Sequence, residues 1–218
     1  MSSTSSTVTE KHFAYLAQRT RGDDEFLLRL KEAARAAGLP EIWIAPEQAS
    51  LIEILLALRG ARDVVEVGTL AGYAAIRMAR AIGAGGTVKT IEVEPCHAAF
   101  ARQWIAASDV AGRVEVLEGD ARAILPTLPA ESADACFIDA DKAGYLAYVD
   151  ECVRILRPRG LLLVDNAFAF GRVLAADDQD PEVVAIRRCN DAIAARTDLR
   201  GVIVPLGDGC WVAVKEGR

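Results

Sequence analysis

Apolar residues recur along this chain with two different periods. From Glu10 to Ala37 the apolar positions Phe13, Leu16, Ala17, Phe26, Leu27, Leu30 and Ala34 keep helical spacing, interrupted at Gly22 and stopped at Gly38-Leu39-Pro40. Two amphipathic helices are expected there. A third is expected from Pro46 to Gly60, because proline suits a first helical turn and Leu51, Ile52, Leu55, Leu56 and Leu58 follow it. Its start adjoins Ile42-Trp43-Ile44-Ala45, a segment placed to cover a ligand. From Asp63 onward short β-branched runs alternate with helical stretches. The strands read as Val64–Val67, Thr87–Ile91, Val114–Leu117, Ala135–Ile138 and Leu161–Val164, and the helices as 73–83, 95–108, 121–128, 144–157 and 182–195. Leu199–Val204 and Cys210–Val214, joined through Pro205-Leu206-Gly207-Asp208-Gly209, read as a closing hairpin.

This alternation predicts an α/β fold: a Rossmann-like, doubly wound, mixed seven-stranded sheet with a C-terminal antiparallel hairpin and extra N-terminal helices. The length of 218 residues suits one domain over 1–218, with residues 1–9 a frayed, disordered terminus and the helices of 10–60 covering the site. With 31 acidic against 25 basic residues there is no basic stripe for nucleic acid, and no apolar run approaches a membrane span. The five cysteines are scattered and odd in number, which fits reduced, mostly buried thiols in a cytoplasmic setting. His12 and His97, the only histidines, read as surface or cap residues and leave little material for a histidine-based triad or zinc helix.

The chemistry concentrates at predicted strand ends. Val64-Val65-Glu66-Val67-Gly68-Thr69-Leu70-Ala71-Gly72 is a strand running into a glycine-spaced turn, and Gly68 and Gly72 are expected to turn the backbone and admit a ligand closely. The spacing matches neither the dinucleotide nor the phosphate-loop pattern. Glu66 would repel a pyrophosphate but accept a hydrogen bond from an ammonium, as in S-adenosylmethionine, which carries no phosphate. Glu92 ends the second strand, where an acidic side chain meets ribose hydroxyls or merely caps the next helix; Glu94 and Pro95 fit the cap better. Asp120 faces an adenine or caps its own helix. Asp139, Asp165 and Asn166 end the fourth and fifth strands, and parallel strand ends converge at one edge. Two carboxylates and an amide oxygen brought together call for a hard cation, Mg²⁺ or Ca²⁺ or Mn²⁺, with positions left for two adjacent substrate oxygens. Each of these residues taken alone also reads as a helix cap or turn residue, and Asp141 with Lys142 as a solvated charge pair.

With these residues in view, the chain resembles the cation-dependent, catechol and caffeoyl-CoA type O-methyltransferases. Glu66-Val67-Gly68-Thr69-Leu70-Ala71-Gly72-Tyr73 looks like their cofactor motif, Phe137 to Tyr145 like their F-I-D-A-D-K-x-x-Y block, and Asp165-Asn166 like their metal pair. Ala45-Pro46-Glu47-Gln48 and Val204 to Cys210 add to the likeness. The resemblance implies that Glu66 and Gly68 hold the amino acid end of S-adenosylmethionine and that Ile44, Tyr73 and Ala74 also meet the cofactor. It implies Glu92 at the ribose, Gly119-Asp120-Ala121 at the adenine, and Asp139 and Asp141 beside the cofactor. Asp139, Asp165 and Asn166 would ligate the metal, and Lys142 would be the general base. Trp43, Lys142, Phe168 and Phe170 are the candidates to face a small acceptor with vicinal oxygens, and a homodimer is expected from bacterial and plant relatives. The chain departs from the pattern at Ala74, where a small hydroxyl residue is usual, at Ala49, where glycine is frequent, and at Ala169, where a substrate-facing Trp is common. Two alternatives stay open at this point: an NAD-dependent oxidoreductase on the same kind of sheet, and a relative that binds S-adenosylmethionine without catalysis.

Overall fold

The computed structural model describes residues 8–217. Of the terminus expected to fray over 1–9, residues 1–7 lie outside the described residues. Thr9 is ordered by a local cap: its backbone N–H donates to Nδ1 of His12 at 3.2 Å, and its hydroxyl lies 2.8 Å from the same atom. This opens α1 (Glu10–Ala17), followed by α2 (Glu25–Ala36), whose N-cap Asp24 accepts from Leu27 N, and α3 (Pro46–Arg59), which ends on left-handed Gly60.

The alternating part then unfolds as β1 (Asp63–Val67), α4 (Tyr73–Ala81), β2 (Thr87–Glu92), α5 (Pro95–Ala106), β3 (Val114–Glu118), α6 (Ala121–Ile124), β4 (Ala133–Ile138), α7 (Tyr145–Ile155), β5 (Leu156–Val164), α8 (Pro181–Ala195), β6 (Leu199–Val204) and β7 (Cys210–Lys215). The seven strands lie in the order β3-β2-β1-β4-β5-β7-β6. The first five are mutually parallel, and β7 runs antiparallel to both β5 and β6. The sheet is the expected one, with the hairpin closing one edge.

Period-two alternation sorts the strand residues into two layers. Val64, Val88, Ala135, Phe137, Leu161 and Leu163 pack with α2 to α5, while Val65, Val67, Cys136, Ile138, Leu162 and Val164 pack with α7 and α8. Strands buried on both faces read as continuous apolar runs, which is why the pattern showed them clearly.

Most boundaries fall within two residues of expectation, and two elements differ more. Strand β5 starts at Leu156 instead of Leu161, because Leu156 already pairs with Ala133 before the chain bulges through Arg157-Pro158-Arg159-Gly160 and rejoins the ladder at Leu161. Pro158 offers no N–H to a ladder and Arg159 turns at φ 64°, so this stretch looks like a helix stop in sequence. The helix expected over 121–128 is a single turn continued by a 3₁₀ turn at Leu125–Thr127, where Pro126 cannot donate to an α-helical ladder.

The N-terminal segment is tied to α4 by a buried polar network. Asp23 accepts from Tyr73 Oη at 2.7 Å, from Arg77 Nη1 at 3.0 Å and from Lys31 Nζ at 2.6 Å, and Arg77 also pairs with Glu53 of α3. Arg77 is 4 % exposed. A guanidinium so deep is tolerable only with its partners in place.

Candidate active site

The ladder continues one residue beyond the strands, Gly68 N donating to Ile91 O, Asp139 N to Val67 O and Asp165 N to Ile138 O, so the strand ends align at one edge. Together with the segment before α3 they border a cavity of about 480 Å³, within the ~300–1,000 Å³ usual for small-molecule sites.

The residues expected at the cofactor all line this cavity. Ile44 comes from the segment before α3, Glu66 and Gly68 from the end of β1, and Tyr73 and Ala74 from the first turn of α4. Glu92 ends β2, Gly119, Asp120 and Ala121 follow β3, and Asp139 and Asp141 follow β4. Trp43 and Lys142 are in its wall as well.

Asp165, Asn166, Phe168 and Phe170 are not in that wall. Phe170 is 52 % exposed, and the Phe168 ring packs where a Cβ on Gly209 would stand. Ala169 is fully buried against Val183 and Ile186 of α8, so this position leaves no room for a substrate-facing Trp.

Gly68 and Gly72 both turn the backbone, as expected. Gly68 turns at φ 97°, but a Cβ there would lie 2.0 Å from the carbonyl oxygen of Asp139, and one on left-handed Gly72 would press on Ile105 of α5 at 3.3 Å. What approaches these glycines closely is the protein itself, although Gly68 still borders the cavity.

Two glutamates at neighbouring strand ends have opposite surroundings. Glu66 is wholly buried, and neither carboxylate oxygen meets a hydrogen-bond partner among the described residues. Burial pushes its carboxyl up to about 8, held back by the nearby Thr90 side chain and reinforced by the charges of Asp139 and Glu92. Glu92 Oε2 accepts from Thr69 N at 3.2 Å and Leu70 N at 2.8 Å, and Oε1 from Glu94 N at 2.9 Å. It therefore holds the loop after β1, including left-handed Leu70, to the end of β2. A carboxylate has about four acceptor positions, so one remains, on Oε1.

Asp120 caps α6, accepting from Arg122 N at 2.8 Å, and also borders the cavity. Asp141 is exposed but does not pair with Lys142; it accepts from Gly144 N at 2.9 Å and Tyr148 Oη at 2.5 Å.

Lys142, 9 % exposed, turns instead toward Asn166. Its Nζ donates to Asn166 Oδ1 at 2.6 Å and Tyr145 Oη at 2.7 Å, and lies 3.4 Å from Asp139 Oδ1. Burial raises the Asp139 carboxyl against the pull of Lys142, and burial followed by the charge of Asp139 raises Asp165 to about 7. Asp165 Oδ1 accepts from the buried Gln48 Nε2 at 2.6 Å. No arrangement of three or more His, Cys, Asp or Glu side chains suited to a metal occurs among the described residues; the oxygens gathered here belong to two aspartates and an amide.

Several site residues escaped the sequence reading. Gln48 was visible only as part of Pro46-Glu47-Gln48, because its partner Asp165 is 117 residues away. Thr69 was visible only as a loop residue, but its hydroxyl meets that of Thr90 at 2.5 Å. His12 is the cap expected, whereas His97 lines the cavity with its ring 3.8 Å from Glu92.

A parallel α/β sheet with a ligand-sized cavity at its switch point, and an unpartnered buried carboxyl in the wall, defines a small-molecule binding site. The chain belongs to the O-methyltransferase family, whose profile matches residues 17–216. It is 36 % identical over 205 residues to a catechol O-methyltransferase of Niastella koreensis, covering 93 % of this chain and 90 % of that one. It is 40 % identical over 175 residues to a catechol O-methyltransferase of Mycobacterium tuberculosis, covering 80 % and 79 %. A solved O-methyltransferase from Bacillus cereus in complex with SAH superposes with a TM-score of 0.86 at 32 % identity, over 93 % of this chain and 96 % of that one. The protein is accordingly an S-adenosylmethionine-dependent O-methyltransferase, and the oxidoreductase alternative falls away.

Proposed function

We propose that this enzyme is divalent-cation-dependent and transfers the methyl group to a hydroxyl of a small acceptor with two adjacent oxygens, of the catechol type. The observation that carries this is the convergence of Asp139, Asn166 and the Lys142 ammonium, with Asp165 near enough for its carboxyl to respond to Asp139. Two carboxyls raised by burial, that of Asp165 also by the charge of Asp139, and an amide oxygen form a set of hard oxygen donors that favours positive charge, such as the Lys142 ammonium beside them. Those donors fit Mg²⁺, Mn²⁺ or Ca²⁺. Asp139, Asp165 and Asn166 would hold the ion, which when bound supplies charge that favours an ionised acceptor oxygen and fixes two neighbouring oxygens.

For the methyl donor, the partnerless Glu66 carboxylate fits an ammonium group, with Ile44, Gly68, Tyr73 and Ala74 around it. Glu92 has one acceptor position left for a ribose hydroxyl, and Gly119, Asp120 and Ala121 border the adenine end. Bound S-adenosylmethionine supplies an electrophilic methyl group on sulfur. Trp43 and Ile44 exclude water over the cavity, Lys142 Nζ, having first released its own ammonium proton to solvent, takes the proton of the acceptor hydroxyl, and Asp141 fixes the turn that carries Lys142. Much of the acceleration comes from holding the reacting atoms in line. The homodimer and the cytoplasmic setting belong to the same reading, and sedimentation of the purified protein checks the first.

The decisive experiment screens aromatic vicinal diols with S-adenosylmethionine, with Mg²⁺ and with chelator, following S-adenosylhomocysteine release. Turnover of a catechol that chelator abolishes is expected; equal turnover in chelator overturns the cation role.

A further inference from the structure

The turn joining β6 to β7 lies against the Asp165-Asn166 corner, and Asp208 at its tip is used by nothing described so far. Its Oδ2 accepts from Phe170 N at 2.7 Å and from Asn166 Nδ2 at 3.4 Å, and its Oδ1 from Gly171 N at 3.2 Å. Backbone bonds dock the same turn, Ala167 N donating to Gly209 O and Phe168 N to Asp208 O, each at 2.8 Å. The segment so held is unusual: Asn166, Ala169 and Phe170 all have φ between 52° and 60°. Non-glycine residues take that left-handed conformation only when their surroundings impose it.

An asparagine amide has a donor end and an acceptor end, and only its oxygen can face a cation. With Nδ2 turned to the Asp208 carboxylate, Oδ1 is turned to Lys142 Nζ at 2.6 Å. The reversed amide would set oxygen against carboxylate and NH₂ against ammonium, so both neighbours select one orientation.

We infer that Asp208 is a positioning residue: it orients the Asn166 amide so that Oδ1, and not NH₂, is presented to a cation, and it holds the left-handed 166–171 segment that carries it. The inference rests on the cation-dependent reading above. Groups that orient a metal-binding side chain from behind are typically worth about 10–100-fold in metal affinity.

The test uses full-length wild type and Asp208→Asn, which keeps the shape, removes the charge and leaves either Gly171 N or both Phe170 N and Asn166 Nδ2 without an acceptor. In cation-free protein the Asn166 side-chain NH₂ resonances, assigned by their loss in Asn166→Asp, should be slowed in exchange with water in wild type and exchange at least several-fold faster in Asp208→Asn. Mn²⁺ titration followed by the free-ion electron paramagnetic resonance signal should show affinity weakened about tenfold or more in the variant, with S-adenosylhomocysteine affinity within threefold. A loop-anchoring role alone would lower Tm while leaving Mn²⁺ affinity of the folded protein unchanged, and that result overturns the inference. If wild type takes up no Mn²⁺ although its amide is protected, the cation reading fails first, and the role given to Asp208 toward a cation falls with it.

Discussion

The two sides of the site are built from different materials. On the cofactor side, Glu92, Asp120 and Asp141 are held mainly by backbone N–H groups a few residues away or on the adjoining loop. On the other side, Asp165 and Asn166 are held by side chains remote in sequence: Gln48, Lys142 and Asp208. Local backbone donors come with the fold, whereas a remote side chain has to be supplied by a separate residue. The first wall should therefore survive most substitutions, and the second should lose function one side chain at a time. Glu66 is the exception on the cofactor side, having no partner of its own.

Four substitutions probe this contrast, in order of decreasing effect. Asp165→Ala removes a donor from the oxygen cluster and should abolish cation-dependent turnover, by about a thousandfold or more, while S-adenosylhomocysteine affinity measured by calorimetry stays within severalfold. A comparable loss of cofactor affinity would mean the two walls are not separable.

Glu66→Gln should weaken S-adenosylhomocysteine about 10–100-fold, the worth of a hydrogen bond to a charged group. The same change should stabilise the ligand-free protein at alkaline pH. The folded carboxyl titrates near 8 and the unfolded one near 4.5, so the fold binds the extra proton between those values. Wild-type stability is then full below 4.5, falls as pH rises toward 8 and levels off above it. The Tm gain of the variant should be largest above pH 8 and vanish below 4.5; a gain constant across pH would show that Glu66 is already paired.

Gln48→Leu keeps the bulk but strips Asp165 of its donor, and should weaken Mn²⁺ affinity about tenfold. An unchanged affinity would make Gln48 mere packing. Ala74→Ser, which restores the small hydroxyl usual in relatives of this type, should tighten S-adenosylhomocysteine about twofold to fivefold, the scale of one neutral hydrogen bond.

The same contrast explains what could be read in advance. Buried parallel strands announce themselves as unbroken apolar runs, and the acidic residues at their ends, Glu66, Glu92, Asp139 and Asp165, could be placed at one edge by topology alone. The bulge at Arg157–Gly160 could not, because proline and glycine there signal a helix stop equally well. Gly68 was read as room for a ligand, whereas the carbonyl of Asp139 takes that room, a contact that depends on how β1 and β4 sit side by side. Gln48, Asp208 and the socket that closes around Ala169 each depend on partners from another part of the chain, and no local pattern encodes them.

Asp23 carries a lesson about where this enzyme ends and its accessories begin. The connection between α1 and α2 looks like a removable preface to the sheet, but it supplies the anion that a sunken guanidinium, a phenol and an ammonium share. Trimming the chain past it would strand those groups in the interior. The phenol is that of Tyr73, which walls the methyl-donor cavity, so a shortened enzyme would lose shape where it binds rather than merely lose a cover.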